Sequence, residues 1–230
     1  MLGGFQPLDG TIEFFCRLRA ALKSTDVLVD LGAGRGAWFF EDRCDARRHL
    51  RDLRPLVSRV IGLDVDPVVL DNRTTSENRV IVGDRLPLDN QSIDVIIADY
   101  VLEHVQNVDA FVREIDRVLK PGGYVFARTP HKYMYVSIAA RLVHNNDHTK
   151  VLAKAQPKRL AQDVFPTAYR LNTLREIAQH FRHYQNYSYL YAAEPGYHFG
   201  SRTMYAVWSA LHRIAPRAVV SNVFVFLRKN

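Results

Sequence analysis

The stretch DVLVDLGAGRGAWFF, residues 26–40, determines how the rest of the sequence is interpreted. Residues 27–29 form an apolar run typical of a short buried strand, and glycines follow at positions 32, 34 and 36. Because glycine has no Cβ, such a loop can turn tightly and lets a ligand come close to its backbone. The stretch therefore predicts a strand, a ligand-binding loop and the start of a helix. A plain strand-to-helix turn is the simpler alternative.

Short apolar runs recur along the first 130 residues, with helical segments between them. The runs that predict strands are 27–30, 60–64, 80–82, 93–98 and 124–127. The segments that predict helices are 37–53, 68–72 and 108–119, and the last has apolar residues at i, i+3, i+4 spacing. This alternation predicts an α/β fold, with a parallel sheet and helices on both faces.

The sequence after residue 130 departs from this alternation. Residues 130–170 are rich in His, Lys, Asn and Pro and predict a cover segment, inserted after the fifth strand, that contacts the substrate. We then expect a helix over 172–181, a strand over 187–192, a helix over 205–214 and a final strand over 219–227. These elements predict one domain over residues 1–230, with a seven-stranded sheet.

Composition limits the class of protein. With 47% hydrophobic and 24% charged residues, the chain is expected to fold, and its net charge of +7 favours anionic partners. Two cysteines without a C-x-x-C spacing predict free thiols and a cytoplasmic protein. The first ten residues lack a signal-peptide pattern, and no apolar stretch reaches the roughly 18 residues that span a membrane.

A dinucleotide is one candidate ligand for the glycine loop, because Gly32, Gly34 and Ala37 satisfy the pattern G-x-G-x-x-G/A. Two carboxylates disfavour it. Asp30 precedes the first glycine, where it would repel a pyrophosphate and suit a cationic amino group. Asp64 follows the glycines by about thirty residues, whereas a dinucleotide ribose is bound roughly twenty residues on.

Four segments, in order, resemble the class I S-adenosylmethionine-dependent methyltransferases, and specifically their type 11 group. They are VLVDLGAGRG, VIGLDVDP, GDRLPLDNQSIDVIIADYVLEHV and EIDRVLKPGGYVFARTP. The resemblance implies a Rossmann-like, doubly wound sheet of seven strands whose last strand is antiparallel. It also implies S-adenosylmethionine as the cofactor and S-adenosylhomocysteine as its product.

The resemblance further implies a set of cofactor-binding residues. Asp30 would hold the amino group of the methionine moiety, Asp64 would accept both ribose hydroxyls, and Asp84 would bind the adenine amino group. The complete set is Asp30, Gly32, Ala33, Gly34, Asp64, Val65, Gly83, Asp84, Arg85, Asp99 and Tyr100. Capping of a helix or turn is the alternative role for Asp64 and Asp84.

His104 is the candidate catalytic residue. It follows the fourth strand, at the edge where open α/β sheets bind ligands, and a histidine there can take a proton from a substrate hydroxyl. Ordering of the loop by Glu103 and His104 is the alternative. The candidate substrate residues, in the cover segment, are His131, Tyr133 and Tyr135. The i, i+4 pair His144 and His148, with Asp147, could hold a metal, but a polar loop is simpler and no metal is expected.

Taken together, these features predict a methyltransferase that acts on a small molecule, by O-methylation of a sugar-containing, lipid-linked or aromatic acceptor. No D/N-P-P-Y/F motif follows the fourth strand, and no cysteine lies near it, which disfavours base and amide methylation. The alternative is a non-catalytic protein that binds S-adenosylmethionine or RNA, although nucleic acid is a disfavoured partner. Peripheral membrane contact through the 205–214 helix is a further possibility.

Overall fold

The computed structural model describes residues 8–135, 137–138, 166–192 and 201–230. The strands are β1 (Val27–Leu31), β2 (Arg59–Asp64), β3 (Glu77–Val80), β4 (Ile93–Asp99), β5 (Leu119–Pro130), β6 (Tyr184–Asn186), β7 (Tyr189–Tyr191) and β8 (Asn222–Lys229). The α-helices are α1 (Gly10–Ala21), α2 (Ala37–Glu41), α3 (Asp45–Arg51), α4 (Val108–Val118), α5 (Leu174–His180), α6 (Arg202–Ile214) and α7 (Arg217–Val220). Three short 3₁₀ turns cover Arg54–Leu56, Pro67–Asp71 and Leu102–His104.

All these strands form one sheet in the order β3-β2-β1-β4-β5-β8-β6, with β7 also paired to β8. Strands β1 to β5 are parallel, and β8 is antiparallel to β5. Strands β6 and β7 pair with β8 in one continuous register and are separated only at Tyr187 and Ser188. At the break the Ser188 Oγ accepts the Phe226 N–H. The two short strands are therefore halves of one sixth strand, and the predicted seven-stranded sheet is confirmed.

The sheet has an apolar core on each face because successive side chains of a strand point to opposite sides. On one face, Leu28 and Ile97 pack with Phe14 and Leu18 of α1. On the other, the core includes side chains of α4 and α5. The carboxyl ends of β1, β2 and β4 therefore lie at one edge of a sheet that is covered on both sides.

Several predicted boundaries were wrong. The helix expected over 37–53 is two helices, because Asp42 Oδ1 accepts the Cys44 N–H and turns the chain between them. The third strand begins at Glu77 rather than at residue 80, since this edge strand is half-exposed and has no apolar run. The final strand begins at Asn222 because Val219 belongs to α7.

The structure describes only the two ends of the cover segment. Residues 136 and 139–165, with His144, Asp147 and His148, lie outside the described residues. After the segment, Thr173 caps α5, as its Oγ1 accepts the Glu176 N–H at 3.1 Å. Among the described helices, none is both long enough and apolar enough to cross a bilayer.

Candidate functional site

The glycine loop connects β1 to α2 at the carboxyl edge of the sheet. Gly32 has a φ of +75°, and a Cβ placed on it would lie 2.4 Å from Cγ2 of Val101, so any side chain here would displace the loop after β4. The N–H groups of Gly32 and Ala33 both donate to the Leu63 carbonyl at the end of β2. The loop is thus held between β2 and β4.

Asn72 holds the same loop from the other side. Its buried side chain donates to the carbonyls of Ala33 and Gly34, both at 3.0 Å, and its Oδ1 accepts from the N–H and hydroxyl of Thr74. Asn72 was not predicted as a site residue, since it lies outside the recognised motifs and its long-range partners give no local pattern.

Asp64 ends β2 directly below the tip of the loop. One carboxylate oxygen accepts the Gly34 N–H at 2.9 Å, and the other accepts the Asp66 N–H at 3.0 Å. Each carboxylate oxygen has a second lone pair, so the group retains acceptor capacity for hydroxyl donors. The turn-capping role and the predicted ribose-binding role are therefore compatible at this position.

Asp30, at the end of β1, faces a cavity of about 80 Å³ beneath the loop. Further lining residues include Trp38, Arg51 and Asp99. Burial, followed by the neighbouring Asp99 carboxylate, raises the pKa of Asp30 to about 7, while Arg51 opposes the shift. A desolvated carboxyl of this kind is stabilised when a cationic ligand approaches it.

Asp99 does not present a free carboxylate. Arg128 binds it through Nε and Nη2, and Arg51 Nη2 lies 3.3 Å from Oδ2. Despite burial, the two guanidinium groups lower the pKa of Asp99. Any contact of Asp99 with a cofactor is therefore made by a carboxylate already held by two arginines.

Tyr100 follows Asp99 and adopts a left-handed backbone with a φ of +60°. Its ring lies 5.0 Å from the Arg128 guanidinium, and its hydroxyl accepts from Asn222 at 3.0 Å. Burial raises the pKa of this hydroxyl, so the tyrosine is neutral near neutral pH.

The predicted adenine residues lie at the outer end of the same edge. Val65 is exposed beside Asp64, and Gly83, Asp84 and Arg85 form an exposed turn closed by a bridge between Val82 and Arg85. Val65 and Val82 expose 60% and 82% of their surface, which suits contact with a flat ring. The glycine loop, Asp30 and Asp64 thus lie closer to the sheet interior than this exposed turn.

His104 and Glu103 attach the end of the cover segment to the loop after β4. The Nδ1 of His104 is 2.9 Å from the Pro166 carbonyl, and the Glu103 carbonyl accepts from the N–H groups of Ala168 and Tyr169. The Glu103 carboxylate accepts the hydroxyl proton of Thr129 at 2.7 Å. The loop-ordering role considered for this dipeptide is present, and hydrogen bonding at Nδ1 leaves Nε2 as the basic nitrogen of a neutral ring.

The three candidate substrate residues occupy different environments. His131 is buried, its Nδ1 accepts the Tyr133 N–H, and burial lowers its pKa despite a hydrogen bond with the Ala218 backbone. Tyr133 is exposed. Tyr135 stacks on Trp208 of α6 with ring centroids 5.1 Å apart. His131 and Tyr135 thus also have roles in packing.

The chemistry of these groups fits S-adenosylmethionine. Asp30 is a desolvated carboxyl suited to an ammonium group, Asp64 can accept hydroxyl protons, and Val65 offers an apolar surface to a ring. The described residues contain no group of three or more His, Cys, Asp or Glu side chains placed to hold a metal ion.

Comparison with known proteins supports the same assignment. Residues 29–127 match the family described as "Methyltransferase domain", of the type 11 group. A probable S-adenosylmethionine-dependent methyltransferase of Mycolicibacterium smegmatis is 34% identical over 102 residues, covering 43% of this chain and 39% of that protein. The demethylmenaquinone methyltransferase of Tropheryma whipplei (strain Twist) is 28% identical over 134 residues, covering 55% and 51%. The chain thus spans about half the length of these relatives or less.

A solved structure extends the similarity to the whole fold. Geranyl diphosphate C-methyltransferase from Streptomyces coelicolor A3(2), crystallised with S-adenosyl-L-homocysteine, superposes on this structure with a TM-score of 0.58. The alignment covers 95% of this chain and 74% of that one, at 16% sequence identity. The segments that resembled a methyltransferase, the sheet order and the matched domain all agree, and residues 29–127 form a class I S-adenosylmethionine-dependent methyltransferase domain of the type 11 group.

Proposed function

We propose that this protein transfers a methyl group from S-adenosylmethionine to a hydroxyl of a small acceptor that is aromatic, lipid-linked or sugar-containing. The observation that supports this most is the arrangement at the carboxyl edge. The glycine loop, Asp30 and Asp64 adjoin the loop after β4, which contains His104. S-adenosylmethionine supplies an already activated methyl group, so the protein has to position the acceptor and remove its proton.

His104 is the residue that we propose as proton acceptor. Its Nδ1 lies at hydrogen-bond distance from a carbonyl, which requires the proton on Nδ1 and makes Nε2 the basic atom. A neutral histidine of this kind can accept a hydroxyl proton near neutral pH. The Pro166 carbonyl would then act as a positioning partner that fixes the ring and its tautomer.

The acceptor class is supported by one relative and by one surface. The Tropheryma whipplei relative is named for demethylmenaquinone, which favours an aromatic, lipid-linked acceptor over a free sugar. Helix α6 exposes Met204, Val207, Leu211 and Ile214, which recur every three or four residues on one side of the helix. Among the described residues, neither apolar core of the sheet includes a side chain of α6.

We propose that this face of α6 contacts an anionic bilayer. Residues 201–221 contain no Asp or Glu, and Arg213 and Arg217 are exposed near the end of the apolar row. An apolar row flanked by cations matches the boundary between acyl chains and anionic headgroups. Contact there would bring a lipid-linked acceptor to the enzyme.

Calorimetric titration with S-adenosylmethionine and S-adenosylhomocysteine is the first test of this function. We expect micromolar binding by the wild type and a loss of at least about tenfold in Asp64→Ala, since one carboxylate supports both the loop and the proposed ribose contact. Asp71→Asn, an exposed carboxylate in the next turn, is the matched control and should bind normally.

Turnover is tested next, by following S-adenosylhomocysteine release with phenols, demethylated quinones and lipid-linked sugars as acceptors. Methylation of a hydroxyl on any of these, identified by mass spectrometry of the product, supports the proposal. If the protein binds S-adenosylhomocysteine, methylates none of them and binds bulk RNA in a salt-dependent way, the non-catalytic alternative is favoured instead.

A further inference from the structure

Arg51, the last residue of α3, lines the cavity that Asp30 faces. Its guanidinium lies 5.1 Å from the ring of Trp38 and 5.4 Å from that of Phe15. The N–H groups of a guanidinium lie in its plane, so aromatic rings that cover its faces leave the donor edge for hydrogen bonding.

The hydrogen bonding of Arg51 is incomplete in the described part of the protein. Its contact with Asp99 is 3.3 Å, which is long for a charged pair, and its Nε is buried without a hydrogen-bond partner among the described residues. Asp99 is already bound by two nitrogens of Arg128, so it does not depend on Arg51 for neutralisation. A buried guanidinium nitrogen without a partner is costly unless a ligand completes it.

The charges around the cavity also indicate what that ligand is. Asp99 and Arg128 balance each other, which leaves Asp30 and Arg51 as the second pair of opposite groups. A ligand with one ammonium and one carboxylate would satisfy both groups. A simple amine would leave Arg51 incomplete, and a simple acid would leave Asp30 next to another anion.

We propose that Arg51 binds the α-carboxylate of the methionine moiety, so that Asp30 and Arg51 together recognise an amino-acid zwitterion. The inference rests on the proposed function, because it assigns a further residue to the same cofactor site. It predicts that this site distinguishes S-adenosylhomocysteine from nucleosides that lack the carboxylate.

The experiment is a calorimetric titration of wild type, Arg51→Gln and Arg51→Lys with three ligands. S-adenosylhomocysteine has both charged groups, its decarboxylated analogue S-adenosyl-3-thiopropylamine keeps only the amine, and 5′-methylthioadenosine has neither. Arg51→Gln should weaken S-adenosylhomocysteine binding about tenfold or more and change the affinities for the other two ligands much less. Arg51→Lys should recover part of the loss, as it keeps the charge but not the planar fork.

Arg54→Gln is the matched control, because Arg54 lies three residues on and pairs with Asp52 outside the cavity. Thermal melting of each variant verifies folding. Wild-type affinity in a folded Arg51→Gln variant, or an equal loss for all three ligands, would overturn the inference while leaving the proposed function intact. Failure of the wild type to bind S-adenosylhomocysteine would overturn the proposed function and the inference with it.

Discussion

Asp30 lies at the end of β1, where burial and the nearby Asp99 carboxylate raise its pKa to about 7. The ligand-free protein therefore holds this carboxyl partly protonated near neutral pH. An ammonium group beside it favours the ionised form. Binding of the cofactor is thus expected to release a proton from Asp30.

The affinity for S-adenosylhomocysteine should weaken by about tenfold between pH 8 and pH 6, because below about pH 7 the carboxyl must first lose its proton. Titration calorimetry at several pH values measures this. In Asp30→Asn the affinity should be lower, and the part of the pH dependence due to this carboxyl should be absent. An unchanged pH profile in that variant would contradict the assignment of Asp30.

The raised pKa of Asp30 also affects the folding stability of the ligand-free protein. Between about pH 4 and about pH 7 the unfolded chain has released the Asp30 proton and the folded protein has kept it, so this group loses its stabilising effect as the pH rises. Because asparagine does not ionise, Asp30→Asn does not lose stability in this way as the pH rises. Ligand-free Asp30→Asn should therefore melt at a higher temperature than the wild type at pH 8, and an equal or lower melting temperature would count against a desolvated carboxyl.

Asn72 supports the glycine loop by donating to the carbonyls of Ala33 and Gly34, and its Oδ1 accepts from the N–H and hydroxyl of Thr74. Asn72→Ala leaves two loop carbonyls and the Thr74 groups without their partner. We expect the free energy of unfolding to fall by about 3 kcal/mol, measured by urea denaturation. Gln106→Ala, at an exposed side chain, should change it by less than about 0.5 kcal/mol. Similar values for the two variants would show that the loop does not need Asn72.

At the scale of elements, the loop after β4 contains a histidine for which the sequence left two roles open. His104 was expected either to act as a base or to order the loop, and the structure contains the ordering contact with Pro166. Both roles can coexist, since the hydrogen bond uses Nδ1 and the basic atom is Nε2. Two substitutions separate them.

His104→Asn keeps an N–H near the position of Nδ1 and removes the basic nitrogen, whereas His104→Ala removes both. If His104 removes the proton from the substrate hydroxyl, turnover should fall by about 100-fold or more in both variants. Their affinity for S-adenosylhomocysteine should be retained. His49→Ala, at an exposed position of α3, is the control. Near-normal turnover in the asparagine variant would assign His104 to loop ordering alone.

The elements also show which parts of the fold were predictable. Buried strands such as β1 and β4 have continuous apolar runs and were found from sequence within a residue or two. The edge strand β3 and the interrupted sixth strand were misplaced, because half-exposed strands and a side-chain bond such as that of Ser188 leave no apolar run. Asp30, Asp64 and the glycines belong to local motifs, whereas Arg51 and Asn72 depend on contacts between distant parts of the chain.

At the scale of the whole molecule, α6 places an apolar row on the surface of a chain with a net charge of +7. We expect the protein to sediment with vesicles of phosphatidylglycerol and phosphatidylcholine, and less so at high salt, because salt screens the electrostatic attraction. Leu211→Glu with Ile214→Glu should reduce sedimentation strongly. Leu70→Glu, an exposed apolar residue outside α6, should not. Equal sedimentation of all variants would argue against contact through α6.

The loop after β4 contacts both the glycine loop and the end of the cover segment. Val101 packs against the first glycine of the glycine loop, and two residues further on the Glu103 carbonyl binds the end of the cover segment. If the cofactor and the acceptor bind at these two places as proposed, we expect this single stretch of backbone to couple their binding. Thermodynamic linkage then requires reciprocity: whatever factor the cofactor contributes to the affinity for the acceptor, the acceptor contributes equally to the affinity for the cofactor.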